Sequence, residues 1–306
     1  MQALQINKEH ILELVELEKP SAKEGELLVQ VKAAGLNPSD ILNAKGGFAY
    51  TTFPRVPGRD FAGIVEDGPS EWKGKRVFGT SGNEISFTRD GAHAEYMTIP
   101  VEAAIEIPDE LTFAQAATIG VPFSTAALCL DAGETKKDDV VLVLGANGAV
   151  GSAAVALARA KGCTVLTGAR NDPAATVDTS ADPELNAIKE KGGADVIVDT
   201  VGAPSLTSAA LQQAKQYGRL VMIAAPRKGP TDMTFDMLQF YRRGLKLIGV
   251  NSLRHNASDA NAELRPLAKS VAKYVTPDNK IKPVKLSLAQ EYYTQASKQK
   301  VVIVPE

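Results

Sequence analysis

The stretch VVLVLGANGAVGSAAVALARAKG, Val140 to Gly162, carries three local signals in one segment. Val140 to Leu144 is an unbroken apolar run, the pattern of a strand covered on both faces of a parallel sheet. Gly145 to Gly151 then turns the chain into a helix whose apolar face is Val150, Ala154, Leu157 and Ala158 at helical spacing, with Gly162 as its stop. Unpaired N–H groups and the positive end of the helix dipole suit a pyrophosphate at such a turn. Gly148 leaves the backbone open to it, and Gly151 lets helix and strand pack closely. Against G-x-G-x-x-G the first glycine is Ala146, preceded by Gly145, so the fingerprint reads A-x-G-x-x-G. A second strand over Cys163 to Thr167 completes a dinucleotide-binding unit.

Working outward, strand signals recur at Asp195 to Thr200, Gly218 to Ile223 and Leu245 to Val250, and alternate with helical stretches such as Ser205 to Gln216. This half is predicted to be an α/β Rossmann domain with a doubly wound parallel sheet. Between Asn171 and Ala187 the Pro, Asp, Ser and Thr content is too broken for a full strand and helix, so the sheet is expected to be trimmed there. Before Val140 the chain reads as short strands, with Val29, Val31 and Ala33 alternating with Gln30 and Lys32. Asn37-Pro38, Gly46-Gly47, Pro57-Gly58, Gly68-Pro69 and Ser81-Gly82 cut it into pieces that suit a barrel-like, β-rich domain. Small apolar residues from Ala114 to Ala132 predict a helical connector. A helix over Asn261 to Val275 and a strand over Val301 to Pro305 are expected to rejoin the first domain. The expected division is 1–120, 121–256 and 257–306.

The 306 residues suffice for two domains, and 44% hydrophobic with 23% charged residues is ordinary for a globular chain. A net charge of −2 without a dense basic tract argues against nucleic acid and anionic membrane as partners. No run approaches a membrane span and no secretory leader pattern opens the chain, so a cytoplasmic location is the expectation. Two cysteines, Cys129 and Cys163, each in an apolar stretch, and three scattered histidines, His10, His93 and His255, provide no disulfide framework and no His/Cys metal-ligand cluster.

AAGLNPSDILNAKGG from Ala33, FPRVPGRDFAGIV from Phe53, DGAHAEYMTIP from Asp90, the glycine turn and the closing KQKVVIVP occur in an order that resembles the medium-chain dehydrogenase/reductase superfamily. The zinc-free quinone oxidoreductase-like branch is the nearest resemblance. It implies a GroES-like catalytic domain joined to the Rossmann domain, with the active site in the cleft between them. In zinc-dependent relatives the first loop and the Arg59-Asp60 pair carry catalytic-metal ligands. Here the cysteine of the loop is Asn37 and the histidine of the pair is Arg59, and the four-cysteine lobe before Asp90 is missing. The resemblance therefore implies a zinc-independent enzyme that passes hydride from NADPH to a quinone or an α,β-unsaturated carbonyl. Alternatives are zinc-independent carbonyl reduction and a non-catalytic NADPH-binding or scaffold protein.

Candidate catalytic residues are Asn37, Arg59 and Tyr50. Asn37 is a donor near the nicotinamide or, with Pro38, a plain turn. Arg59 is either an anchor for acceptor oxygen or one half of a structural ion pair, and Asp40 is expected to order its loop. Leu42 stands where quinone reductases often carry a tyrosine, leaving Tyr50 and Tyr96 as the nearest substitutes. The cofactor is expected to meet Gly145, Ala146, Asn147, Gly148, Ala149 and Val150, then Gly168, Arg170 and Asn171 after the second strand. Arg170 either complements a 2′-phosphate, favouring NADPH, or is a solvated arginine; Asp172 lies nearby. The strand-end loops add Thr200, Val201, Gly202, Ala224 and Ala225, and the resemblance adds Asn251, Ser252 and Thr125. A homodimer joined through the last Rossmann strand is the expected assembly, because Leu245 to Val250 reads as an apolar edge.

Overall fold

A computed structural model describes residues 1–294 and 299–306; Lys298, the first residue of the closing motif, lies outside them. The chain divides into two compact units, residues 1–124 with 253–306, and residues 125–252. Both divisions fall a few residues inside the sequence expectation of 121–256 for the nucleotide domain.

The first unit begins with the hairpin β1 (Gln2–Ile6) and β2 (Leu12–Glu16), followed by β3 (Glu26–Gly35), α1 (Pro38–Ala44), β4 (Asp60–Asp67), β5 (Arg76–Gly79), β6 (Tyr96–Pro100) and β7 (Ile105–Glu106). β3 pairs antiparallel with β4 and β6, and β4 with β5. Alternation along β3 sends Leu27, Val29 and Val31 into a core with Phe61, Met97 and Ile99, the burial expected of a half-covered strand. Where one helical connector is predicted, the structure has α2 (Phe113–Ala116) and α3 (Gly120–Ala132). The break is set by Asp60, whose carboxylate accepts the N–H of Val121 at 2.8 Å. A Cβ on Gly120 would lie 2.1 Å from that carboxylate.

In the second unit β8 (Val140–Leu144) leads through the glycine turn into α4 (Ala149–Ala160) and β9 (Thr164–Ala169). The broken segment contributes only β10 (Val177–Asp178) and α5 (Asn186–Glu190), as its composition predicts. β11 (Ala194–Asp199), α6 (Pro204–Gln212), β12 (Ala214–Met222), α7 (Met237–Arg242) and β13 (Lys246–Gly249) complete a wholly parallel sheet in the order β10-β9-β8-β11-β12-β13. α6 stops short of the predicted Gln216 because Ala214 already pairs with Ala194 of β11. The order reverses between β9 and β11 on either side of β8, which leaves a crevice at the carboxyl end of β8.

The chain then returns to the first unit through α8 (Ala257–Leu264), a 3-10 turn over Arg265–Leu267 and α9 (Ala268–Val271). The single helix predicted over Asn261 to Val275 is interrupted at Pro266, which has no N–H to continue the ladder. β14 (Ile281–Lys285) and β15 (Lys300–Val304) pair in parallel, and β15 adds antiparallel to β3 at Val302↔Gly35 and Ile303↔Ala34. Continuing that register sets Lys300 across from Asn37. Of the two cysteines, Cys129 is fully buried, whereas Cys163 is only partly covered because it lies between α4 and β9 rather than within the sheet.

Candidate functional site

Each unit carries its own cluster of candidate residues. In the first, Asn37 ends the chain's departure from β3 and is 2% exposed. Asp40 orders this loop as expected: one carboxylate oxygen accepts the N–H of Asn37 at 2.7 Å and the other that of Arg59 at 3.1 Å. Asn37 itself is a bridge. Its Nδ2 donates to Asp60 Oδ2 at 2.8 Å and its Oδ1 accepts from Lys300 Nζ at 3.2 Å, so the carboxamide is held in one orientation by a carboxylate on one side and an ammonium on the other. The other Asp60 oxygen accepts from Thr80 Oγ1 and from the N–H of Val121, both at 2.8 Å.

The Arg59 guanidinium is 5% exposed. Its Nε donates to Ser81 Oγ at 2.8 Å, Nη1 to Ser39 Oγ at 3.0 Å, and Nη2 reaches the carbonyl of Gly82 at 3.5 Å. It stacks over the Phe87 ring, 5.3 Å from its centroid. Among the described residues neither Arg59 nor Lys300 forms a direct ion pair; the side-chain partners of Arg59 are hydroxyls and a carbonyl. Burial lowers the pKa of both cations, opposed by the more distant carboxylates of Asp40 and Asp60. Burial also pushes the Asp40 carboxyl up to about 7 and raises Asp60. Burial thus works against the charged form of all four groups, and the Arg59 and Lys300 N–H groups remain as donors to a ligand oxygen.

Tyr50 lies beside this cluster. Its ring, 42% exposed, packs on Phe87 at 5.1 Å and, with Phe48, forms an aromatic wall. Burial raises the Tyr50 phenol, which disfavours its ionised form. Tyr96 lies elsewhere, on β6, where Lys19 covers its ring and Gln30 donates to its hydroxyl. His93 is a core residue: Nδ1 meets the Tyr293 hydroxyl at 2.5 Å, and burial holds its pKa down to about 3, keeping it neutral. No group of three or more His, Cys, Asp or Glu side chains placed to hold a metal occurs among the described residues.

The second cluster surrounds the crevice at the end of β8. Gly148 caps α4 while Asn147, Gly148 and Ala149 are exposed, Val150 partly so and Ala146 buried. Gly151 is required by close approach, since a Cβ there would lie 2.0 Å from the Gly145 carbonyl oxygen. Thr200 Oγ1 donates to the Leu144 carbonyl at 2.7 Å. The buried Asp199 shapes the next loop by accepting the N–H groups of Val201 and Gly202 and the Thr207 hydroxyl. Asp199 is a loop-ordering residue that the sequence reading misses; an acidic residue ending an apolar strand before Thr-Val-Gly is the signal for it. Gly168 is buried near the end of β9, Arg170 and Asn171 are exposed just beyond it, and Asn147 donates to Asp172 at 2.7 Å. Ala224 and Ala225 follow β12, Asn251 and Ser252 follow β13, and Thr125 is buried in α3. An open helix N-terminus, a glycine cradle and small strand-end loops fit a dinucleotide.

Two family descriptions match the chain: the alcohol dehydrogenase GroES-like domain over residues 23–109 and the zinc-binding dehydrogenase domain over residues 149–269. A zinc-type alcohol dehydrogenase-like protein of Schizosaccharomyces pombe is 47% identical over 279 residues, 90% of this chain and 86% of that protein. The quinone oxidoreductase of Sus scrofa is 31% identical, over 70% of this chain and 68% of its own. Among solved structures, the quinone oxidoreductase from Thermus thermophilus, described also in complex with NADPH, shares 29% identity at a TM-score of 0.78, covering 99% of this chain and 100% of that one. The chain belongs to the medium-chain dehydrogenase/reductase superfamily, in its quinone oxidoreductase-like branch, a family of oxidoreductases.

Proposed function

We propose that this chain is a zinc-independent, NADPH-dependent reductase that transfers hydride to a quinone or an α,β-unsaturated carbonyl. The observation that carries this reading is the Arg59 guanidinium, buried at the former metal-ligand pair with hydroxyls and a carbonyl as its partners. A quinone or enone needs its oxygen held as charge develops there, and a buried cation without a paired carboxylate supplies that charge stabilisation. The half-exposed Tyr50 ring, packed on the buried Phe87 ring that the guanidinium overlies, offers an aromatic surface suited to a conjugated acceptor. The glycine turn, with Thr200, Val201 and Gly202, would hold the cofactor, whose reduced nicotinamide supplies hydride. A panel of quinones, enones, ketones and aldehydes tests the reading. Turnover with quinones or enones, the latter giving saturated ketones, is expected. Alcohol products alone would favour carbonyl reduction, and tight NADPH binding without turnover would favour a scaffold.

Preference for NADPH is assigned to Arg170. It is exposed at the end of β9, and Asp172 beside it is engaged by Asn147 and by the N–H of Ala174. Arg170→Ala is expected to weaken NADPH binding by roughly 1.5–3 kcal/mol and leave NADH almost unchanged. Equal losses for both cofactors would instead mark Arg170 as structural.

The assembly is proposed to be a cytoplasmic homodimer through β13. That strand is one of the two edges of the six-stranded sheet, and Tyr217 (71%), Met237 (77%) and Tyr241 (66%) are exposed in the second unit. Sedimentation should give a dimer mass; a monomer mass independent of concentration would count against it. No helix among the described residues is long and apolar enough to cross a membrane.

A further inference from the structure

Lys300 is the feature of the first cluster that the reductase reading does not use. It begins β15 and lies across from Asn37, with its ammonium partly buried and donating to Asn37 Oδ1 at 3.2 Å. An ammonium has three N–H donors, and this is its one hydrogen bond among the described residues. The Asp60 carboxylate accepts from Asn37, Thr80 and the N–H of Val121, and among the described residues it forms no direct ion pair with Lys300. A lysine partly withdrawn from water without a direct carboxylate partner keeps N–H donors for a ligand, and an oxygen that becomes negative would supply the counter-charge its ammonium form lacks.

We propose that Lys300 is a catalytic residue of the acceptor site, whose ammonium holds the oxygen that becomes negative during reduction and gives it a proton. This deepens the reductase reading and rests on it. Hydride at the β-carbon of an enone leaves the carbonyl π pair on oxygen as an enolate, and hydride at one oxygen of a quinone leaves the other oxygen as a hydroquinone monoanion. One Lys300 N–H bond then breaks, an O–H bond forms, and the neutral amine regains its proton from water. Asn37 is the positioning residue: its oxygen faces the ammonium because its nitrogen faces Asp60. Burial, which lowers the pKa of Lys300, makes it a better proton donor than a solvated lysine.

The test uses 4-nitrophenol, whose phenolate mimics the anionic product and is read by its visible absorbance, on the full chain saturated with NADP⁺. Wild type is expected to hold the bound phenol ionised to a lower pH than free phenol. Lys300→Met should raise the bound phenol's apparent pKa by about one to three units, the effect of losing an adjacent opposite charge. Lys300→Arg should retain the shift but lose turnover by about 10²- to 10⁴-fold, because a guanidinium keeps the charge and does not release the proton. Unaltered ionisation in Lys300→Met, or no ionisation shift in wild type, overturns the proposal even if NADPH is consumed. An unaltered turnover in Lys300→Arg overturns the proton transfer. If Lys300→Met does not fold, the turnover of Lys300→Arg decides: the expected loss supports the proposal and unaltered turnover overturns it. An intact, Lys300-dependent phenolate shift with no turnover on any acceptor would refute the reductase reading and leave the anion site standing.

Discussion

Arg59→Met is expected to lower kcat/KM for the acceptor by about 10²- to 10³-fold, the loss seen when one preorganised donor to a developing oxyanion is removed. NADPH affinity should hold, because the residues proposed to bind the cofactor belong to the other unit. Stability should change little. Methionine occupies similar volume, Ser81 Oγ retains its own bond to the Gly82 carbonyl, and a buried cation with no paired carboxylate is replaced by an apolar side chain at small or favourable cost. Steady-state kinetics, NADPH titration and urea unfolding on the same variant separate these outcomes. A matching fall in NADPH affinity, or full activity, would remove Arg59 from the acceptor site.

Asp60→Ala is expected to be the most destabilising change in the first unit, by about 3–5 kcal/mol, the cost of removing one partner from a buried charged network. It strips the acceptor from Asn37 Nδ2, Thr80 Oγ1 and the Val121 N–H, and removes the counter-charge that most strongly supports the Lys300 ammonium. Asp60→Asn alone sets one carboxamide nitrogen against another. Combining it with Asn37→Asp reverses the polarity of that hydrogen bond and gives Lys300 a direct carboxylate, so the double variant should recover much of the lost stability. Urea midpoints of the single and double variants measure this. A single variant within about 1 kcal/mol of wild type, or a double variant no better than Asp60→Asn, would show that the network does not hold the loop.

The nucleotide half is legible in the sequence because its signals are local and agree. The apolar run, the glycine turn and the small-residue helix face all lie within Val140 to Gly162, and the structure forms β8, the turn and α4 there. The first half is legible as a class, since β3 alternates as predicted, but its site is only partly so. Asn37, Asp40 and Arg59 sit in recognisable motifs, whereas the groups that decide their chemistry come from afar. Lys300 stands 263 positions from Asn37 in the chain and escapes a reading that starts the closing strand at Val301, its first apolar residue. The available signal is a lone lysine heading the run VVIV, and its meaning depends on the pairing of β15 with β3. The Ser39 and Ser81 hydroxyls that receive Arg59 carry no pattern of their own. The break between α2 and α3 is likewise hidden, because its cause is Asp60, a residue distant in sequence.

We propose that two side-chain cations, the buried Arg59 and the partly buried Lys300, take the place of a metal in reducing a conjugated acceptor. The most direct measurement is NADPH oxidation with a quinone and an enone, on protein whose zinc content is determined before and after chelation, with the products identified. Undiminished turnover at substoichiometric zinc is expected, giving hydroquinone and saturated ketone. Turnover that rises and falls with bound zinc would contradict the proposal.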